Sequence, residues 1–279
     1  MDIEKARDLG FCFGVKRAIE LVEKAARKEG RLKTLGPIVH NRQVVARLEA
    51  EGIAVATSLD GLDKGTVVIT SHGVAPQVLD ILQSRGLNII DATCPLVRRA
   101  QRTARRLADA GFYVLIFGDS AHPEVQGLLG WAGDDALATL EVPVLEMAPR
   151  RIGVLSQTTQ SAHHFVRFLA GLLTSNIASV YELRIMNTIC DATRRRQEAA
   201  LELAHRVDLM LVIGGRHSAN TRHLAADCAA AGVKTHHIET AAELDSSWFT
   251  SRGRIGVTAG ASTPDQIIDE VLAKLREME

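Results

Sequence analysis

The sequence predicts an α/β protein of three related α/β units, each with a small, mainly parallel sheet. Three observations point there. Short β-branched runs alternate with stretches whose apolar residues recur every three to four positions, the pattern of βα units. Three of the four cysteines, Cys12, Cys94 and Cys190, are nearly evenly spaced, and each stands just ahead of a helical pattern. Hydrophobic residues make up 46% of the chain but aromatics only 4%, so the core is aliphatic, as suits helices laid on parallel strands.

Taken in order, the first unit spans residues 13–93. After Cys12 and the doublet Lys16-Arg17, the run Ala18-Ile-Glu-Leu-Val22 has helical spacing, and Thr66-Val-Val-Ile-Thr70 reads as a strand ending in Ser71-His72-Gly73. The second unit, 94–190, repeats the plan. Cys94 and Arg98-Arg99 precede a helix over 100–110, then come the strands Tyr113–Phe117 and Ile152–Leu155, the latter ending in Ser156-Gln157-Thr158-Thr159. The third unit comprises 191–279 plus 1–12. Arg194-Arg195 follow Cys190, a helix covers 197–205, and the strands Met210–Ile213 and Arg254–Thr258 end in Gly214-Gly215-Arg216-His217-Ser218 and Ala259-Gly260-Ala261-Ser262. Such weak self-similarity at a long period fits three related units better than a short-repeat solenoid. No Pro- or Ser-rich linker separates the thirds.

Composition narrows the function. The 33 basic and 33 acidic residues cancel, which argues against bulk binding to nucleic acid or membrane. The longest apolar runs fall far short of the roughly 20 residues that a membrane span needs, and the N-terminus has no apolar signal segment. A cytoplasmic protein is expected. No C-x-x-C pair, no G-x-x-x-x-G-K-[ST], no G-x-G-x-x-G and no G-x-S-x-G occurs, so the usual zinc-ribbon, nucleotide and serine-hydrolase signatures are missing.

In a parallel sheet, ligands bind beyond the carboxyl ends of the strands, where the polar loops lie. A thiolate at a helix N-terminus is stabilised by the helix dipole and is ready to ligate a metal. Three such cysteines fit a zinc site or an iron–sulfur cluster with one open iron, and the residues alone leave both open. Cys228, in an Ala-rich helical stretch, reads as core. His40, His72, His122, Ser218, Asn220 and Ser262 are oxyanion-binding types, and near helix N-termini they would make a phosphate site without a P-loop. His122-Pro123-Glu124 offers a carboxyl beside a histidine, either a proton donor held protonated by burial or simply the first turn of a helix. His163, His164, His205, His223, His236 and His237 fall in helical or connecting stretches without such a setting, and His217 is ambiguous.

These motifs resemble those of one family, the 4-hydroxy-3-methylbut-2-enyl diphosphate reductases (IspH/LytB). The likeness runs in order from Gly10-Phe-Cys-Phe-Gly-Val-Lys16 through Pro37-Ile-Val-His-Asn41, Ser71-His-Gly73, Asp91-Ala-Thr-Cys-Pro95 and His122-Pro-Glu-Val125. It continues in Ser156-Gln-Thr-Thr159, Ile189-Cys-Asp-Ala-Thr193, Ser218-Ala-Asn-Thr221 and Thr258–Pro264, covering nearly the whole chain. The resemblance implies three units packed around a central [4Fe–4S] cluster held by Cys12, Cys94 and Cys190. It implies a diphosphate bound by His40, His72, His122, Ser218, Asn220 and Ser262, a substrate hydroxyl facing the open iron and positioned by Thr158, and Glu124 as proton source. The implied reaction is a two-electron reductive loss of that hydroxyl, giving isopentenyl and dimethylallyl diphosphates, with electrons from a ferredoxin or flavodoxin. One departure is Ala219, where many family members carry a second serine. Two rivals are a non-catalytic iron–sulfur redox sensor, which needs neither Glu124 nor the oxyanion donors, and a metal-dependent phosphohydrolase, which needs clustered carboxylates that the sequence lacks.

Overall fold

Strand-forming runs that are apolar at every position can be buried only between two layers, and they supply the centre of each sheet. In the computed structural model, which describes residues 2–145, 149–176, 178, 180–249 and 253–278, the strands are β1 (Asp2–Lys5), β2 (Leu32–Leu35), β3 (Ile53–Ala56), β4 (Thr66–Ile69), β5 (Asn88–Asp91), β6 (Tyr113–Phe117), β7 (Ala136–Thr139), β8 (Arg151–Ser156), β9 (Glu182–Met186), β10 (Leu209–Ile213), β11 (Lys234–Ile238) and β12 (Arg254–Ala259). The helices are α1 (Phe13–Glu29), α2 (Arg42–Ala50), α3 (Pro76–Ser84), α4 (Pro95–Asp109), α5 (Pro123–Ala132), α6 (Ala162–Asn176), α7 (Asp191–Ala204), α8 (Ala219–Ala230) and α9 (Asp265–Glu277).

The strands form three four-stranded sheets with orders β3-β2-β4-β5, β7-β6-β8-β9 and β11-β10-β12-β1, and every pairing is parallel. One plan is thus used three times: β2, β6 and β10 take the same place in their sheets, and so do β4, β8 and β12. The outer strand of the third sheet is β1, from the other end of the chain. Three small parallel sheets dressed with helices are the architecture the sequence predicts.

The chain forms two compact bodies. The first comprises Met1–Lys16, Val39–Ala46 and Asp191–Glu279, and the second Arg17–Ile38 and Arg47–Cys190. In the first body, β10 alternates its side chains between two cores, because successive residues of a strand point to opposite faces. Leu209, Leu211 and Ile213 pack with Ile255, Val257 and α9, whereas Met210 and Val212 pack with Leu203, Leu224 and Cys228 of α7 and α8. In the second body β6 does the same: Val114 and Ile116 face α4 and α5, and Leu115 and Phe117 face Phe165, Phe168 and Leu172 of α6. Among the described residues no helix is long and apolar enough to cross a membrane.

Two expectations are corrected. His236 and His237 belong to β11 rather than to a helix or connection: His236 stacks on Trp248 with ring centroids 3.8 Å apart, and His237 Nε2 lies 2.8 Å from the Gly214 carbonyl. The polar Lys234-Thr-His-His run is strand because it pairs with β10 along its length, a tertiary effect that overrides propensity.

Candidate active site

The threefold plan distributes the polar residues evenly. The chain leaving β2, β6 and β10 carries His40, His122 with Glu124, and Ser218 with Asn220, respectively. The loops after β4, β8 and β12 carry His72, Thr158 and Ser262. The segments after β1, β5 and β9 carry Cys12, Cys94 and Cys190. Each cysteine amide donates to the loop of the neighbouring strand in its own sheet: Cys12 N–H to Ala261 O (3.1 Å), Cys94 N–H to Ser71 O (3.0 Å) and Cys190 N–H to Thr158 O (3.0 Å). These bonds fix the backbone at each cysteine within its own sheet.

The three cysteines differ from the fourth in position and burial. Cys12 immediately precedes α1 and accepts the Val15 N–H at 3.4 Å, Cys94 is the N-cap of α4, and Cys190 immediately precedes α7. All three are half-buried thiols. Cys228 is fully buried within α8, and burial pushes its thiol up to about 12, with Asp227 adding to the effect. Soft thiolates at helix N-termini are the donor set that an iron–sulfur cluster takes, so the residues present fit that group.

In the second body a carboxyl group is walled in. Glu124 lies in the first turn of α5 and is 2% exposed. Its Oε1 accepts the Thr158 backbone N–H at 2.6 Å, and its Oε2 lies 2.9 Å from the Thr158 hydroxyl, which donates to it. Burial pushes this carboxyl up to about 7, and the two Thr158 bonds pull the other way without cancelling the effect. His122 is the N-cap of α5, its Nδ1 accepting the Glu124 N–H at 3.1 Å, which leaves the proton of a neutral ring on Nε2. The helix-turn reading and the proton-donor reading of His122-Pro-Glu124 are therefore compatible. His72, whose Nδ1 lies 3.3 Å from Thr70 Oγ1, meets the His122 ring edge-on at 5.5 Å between centroids.

The first body holds the other polar cluster. Ser218 caps α8, accepting the Thr221 N–H at 3.4 Å, and Ala219 and Asn220 follow it in the first turn. Asn220 is 3% exposed, yet neither its amide nitrogen nor its oxygen has a partner among the described residues. A buried primary amide left unmatched is costly and marks a place where a polar ligand would sit. Ser262 donates to the His40 carbonyl at 3.4 Å, and a Cβ on Gly215 would come within 2.4 Å of that same oxygen, so only glycine admits the approach. Burial, with His217 and Arg222 adding to it, holds the His40 imidazole below its ordinary value. His217 itself is exposed, with Nε2 3.3 Å from Arg42 Nη2.

A family model described as LytB protein matches residues 3–276. The chain belongs to the LytB family. Among LytB relatives, the 4-hydroxy-3-methylbut-2-enyl diphosphate reductase of Dehalococcoides mccartyi (strain CBDB1) is 51% identical over 278 residues, 99% of this chain and 98% of that one. The enzyme of the same name from Geobacter sulfurreducens is 46% identical over 281 residues, 100% of this chain and 98% of the other. A solved structure of the E-1-hydroxy-2-methyl-but-2-enyl-4-diphosphate reductase from Plasmodium falciparum superposes with a TM-score of 0.92 at 27% identity, covering 98% of this chain and 87% of that one. LytB membership implies an iron–sulfur cofactor.

Each candidate site residue follows a strand or lies at the start of a helix, and the second body joins Glu124 to Thr158 and His72 to His122. Sequence reasoning missed Gln157, which is fully buried beside Thr158 with its amide nitrogen unpartnered among the described residues. Its place in Ser156-Gln-Thr-Thr159 was the only available signal.

Proposed function

We propose that this chain reduces (E)-4-hydroxy-3-methylbut-2-enyl diphosphate to isopentenyl and dimethylallyl diphosphates, the last step of the non-mevalonate isoprenoid route, in the cytoplasm. Two electrons and two protons are consumed per turnover; the C–O bond breaks, one proton leaves with the hydroxyl as water and the other ends on carbon. The observation that carries this reading is the buried Glu124 carboxyl, hydrogen-bonded twice to Thr158 and pushed up by burial to about 7. Family membership over nearly the whole chain supports it.

Cys12, Cys94 and Cys190 would hold a [4Fe–4S] cluster, which when bound would supply one-electron reduction and a Lewis acid. The chain's own residues do the rest. Hydroxide is a poor leaving group, so Glu124 protonates the departing oxygen, and Thr158, bonded to Glu124 through both its amide and its hydroxyl, orients carboxyl and substrate together. The buried Asn220 amide, Ser218 and Ser262 bind the diphosphate with His40, His72 and His122. His122, capped through Nδ1, donates from Nε2. Ala219 brings no hydroxyl to this set, which leaves the free backbone N–H groups of the first turn of α8 to serve there. A redox sensor has no use for a buried proton donor or an unmatched amide.

Anaerobically purified protein should carry about four irons and as many sulfides per chain, and its visible spectrum should change on adding the diphosphate. Zinc in place of iron, or a spectrum blind to the diphosphate, would overturn the reading.

The electron donor is a ferredoxin or flavodoxin, acidic proteins that a basic face would steer. Arg99 and Arg102 are exposed on α4, the helix that Cys94 caps, and neither has an ion-pair partner among the described residues, unlike Arg98 and Arg105, which pair with Asp91 and Asp109. The double variant Arg99→Glu/Arg102→Glu should raise the KM for ferredoxin about tenfold at low salt and leave turnover with dithionite unchanged. An unaltered KM would make this face a plain solvated one.

A further inference from the structure

We propose that Gln157 is a positioning residue for Glu124, its side-chain oxygen tying the loop that leads into Glu124 to the loop that presents Thr158. The inference rests on the reductase reading above and adds to it a residue that touches neither the carboxyl nor Thr158's hydroxyl.

The connections form an unbroken chain within the second body. Gln157 Oε1 accepts the Asp119 backbone N–H at 3.2 Å and the Gln160 side-chain amide at 3.0 Å. Asp119 is a hub in turn: its carbonyl accepts the His122 N–H at 2.9 Å, and its carboxylate accepts the Ala121 N–H at 3.1 Å. His122 then caps Glu124. On the other side, the Gln157 backbone N–H donates to Phe117 O at 2.9 Å, and the Gln160 N–H closes the turn onto Gln157 O at 3.2 Å, with Thr158 inside that turn. The Gln157 side-chain oxygen thus links the segment that leads into Glu124 to the turn that holds Thr158.

Two further observations show that this position is built for its oxygen. A Cβ on Gly118 would lie 2.9 Å from Val125 Cγ2, 3.0 Å from Gln157 Cβ and 3.1 Å from Oε1, so the glycine gives room both to α5 and to the amide. The Gln157 side chain is fully buried, and its Nε2 has no partner among the described residues. An apolar residue would avoid that unmet donor, so the amide is retained for its acceptor. A proton donor misplaced by a fraction of an ångström loses rate while binding survives.

Gln157→Met keeps length and volume but removes the acceptor. It should lower kcat about tenfold, with the KM for the diphosphate within about twofold and iron content unchanged. Introduced into Glu124→Gln, it should cost less than about twofold more, since the group it positions is already gone. The infrared carboxylic C=O band, assigned by its disappearance in Glu124→Gln, should shift in Gln157→Met, a readout independent of turnover. An unmoved band with unchanged kcat, a rise in KM, or the same tenfold loss in both backgrounds would overturn the proposal. Should Gln157→Met not fold, Gln157→Leu, which likewise removes the acceptor, carries the same expectation, and full turnover there would overturn it. Failure of the reductase reading would show separately, as an unaltered protein that turns over no diphosphate.

Discussion

Glu124→Gln is expected to lower kcat by about 10²- to 10³-fold, the range that a positioned general acid contributes, while the KM for the diphosphate stays nearly constant. The glutamine can still accept the Thr158 N–H that now reaches Oε1, and the Thr158 hydroxyl can rotate to accept from the new amide, so the fold has no reason to fail. What is lost is the proton. In the unaltered enzyme the protonated carboxyl is the working form, and with its value in the free enzyme pushed up to about 7 by burial, kcat/KM should be level below that pH and fall as pH rises through it. The same shift has a stability consequence of definite sign. A carboxyl whose value is raised on folding stabilises the native state below its ordinary value of about 4.3, and that contribution is lost as pH rises through about 7. The glutamine variant carries no charge to bury, so its melting temperature at pH 8 should equal or exceed that of the parent. Unchanged turnover, or a pH profile without a limb near neutrality, would remove Glu124 from the chemistry.

The second large effect concerns the thiols. Cys94→Ala removes the N-cap thiol of α4 and should reduce bound iron and sulfide to near background, abolishing turnover. Cys228→Ala should leave iron content and turnover unchanged and cost about 1 kcal/mol or somewhat more in stability from the small cavity in the α7–α8 core. The pair of variants separates ligand from packing, since one deletes a sulfur at a helix start and the other a sulfur in a helix core. Iron retained in full by Cys94→Ala would contradict the ligand assignment.

The fold was legible where physics is local. Tyr113–Phe117 and Leu209–Ile213 are apolar at nearly every position because both faces are covered, and they are the strands β6 and β10 at the centre of their sheets. The cysteines announced three helix starts, and the helices begin at Phe13, Pro95 and Asp191. Less legible were the short or outer strands. β2 is only Leu-Lys-Thr-Leu, and β9 is largely exposed, so their pairing decides their state rather than their own pattern. His236 and His237 were misread for that reason.

At the site, residue types could nominate Glu124 and Thr158 but not join them, because a contact across 34 residues of sequence is a product of the β6–β8 pairing. The burial that raises the Glu124 carboxyl is likewise a property of the packed body. Gln157 was invisible for a different reason: a bracing amide and an ordinary loop amide look alike until their partners are known.

Reductive loss of a hydroxyl is seen at first hand in the products. Anaerobic, cluster-loaded protein would be incubated with (E)-4-hydroxy-3-methylbut-2-enyl diphosphate and a dithionite-reduced viologen, and the diphosphates then separated and identified. Isopentenyl and dimethylallyl diphosphates are expected, with two viologen electrons consumed per molecule formed. Substrate returned intact by protein with a full complement of iron, or free phosphate in place of the two products, would contradict reductive loss.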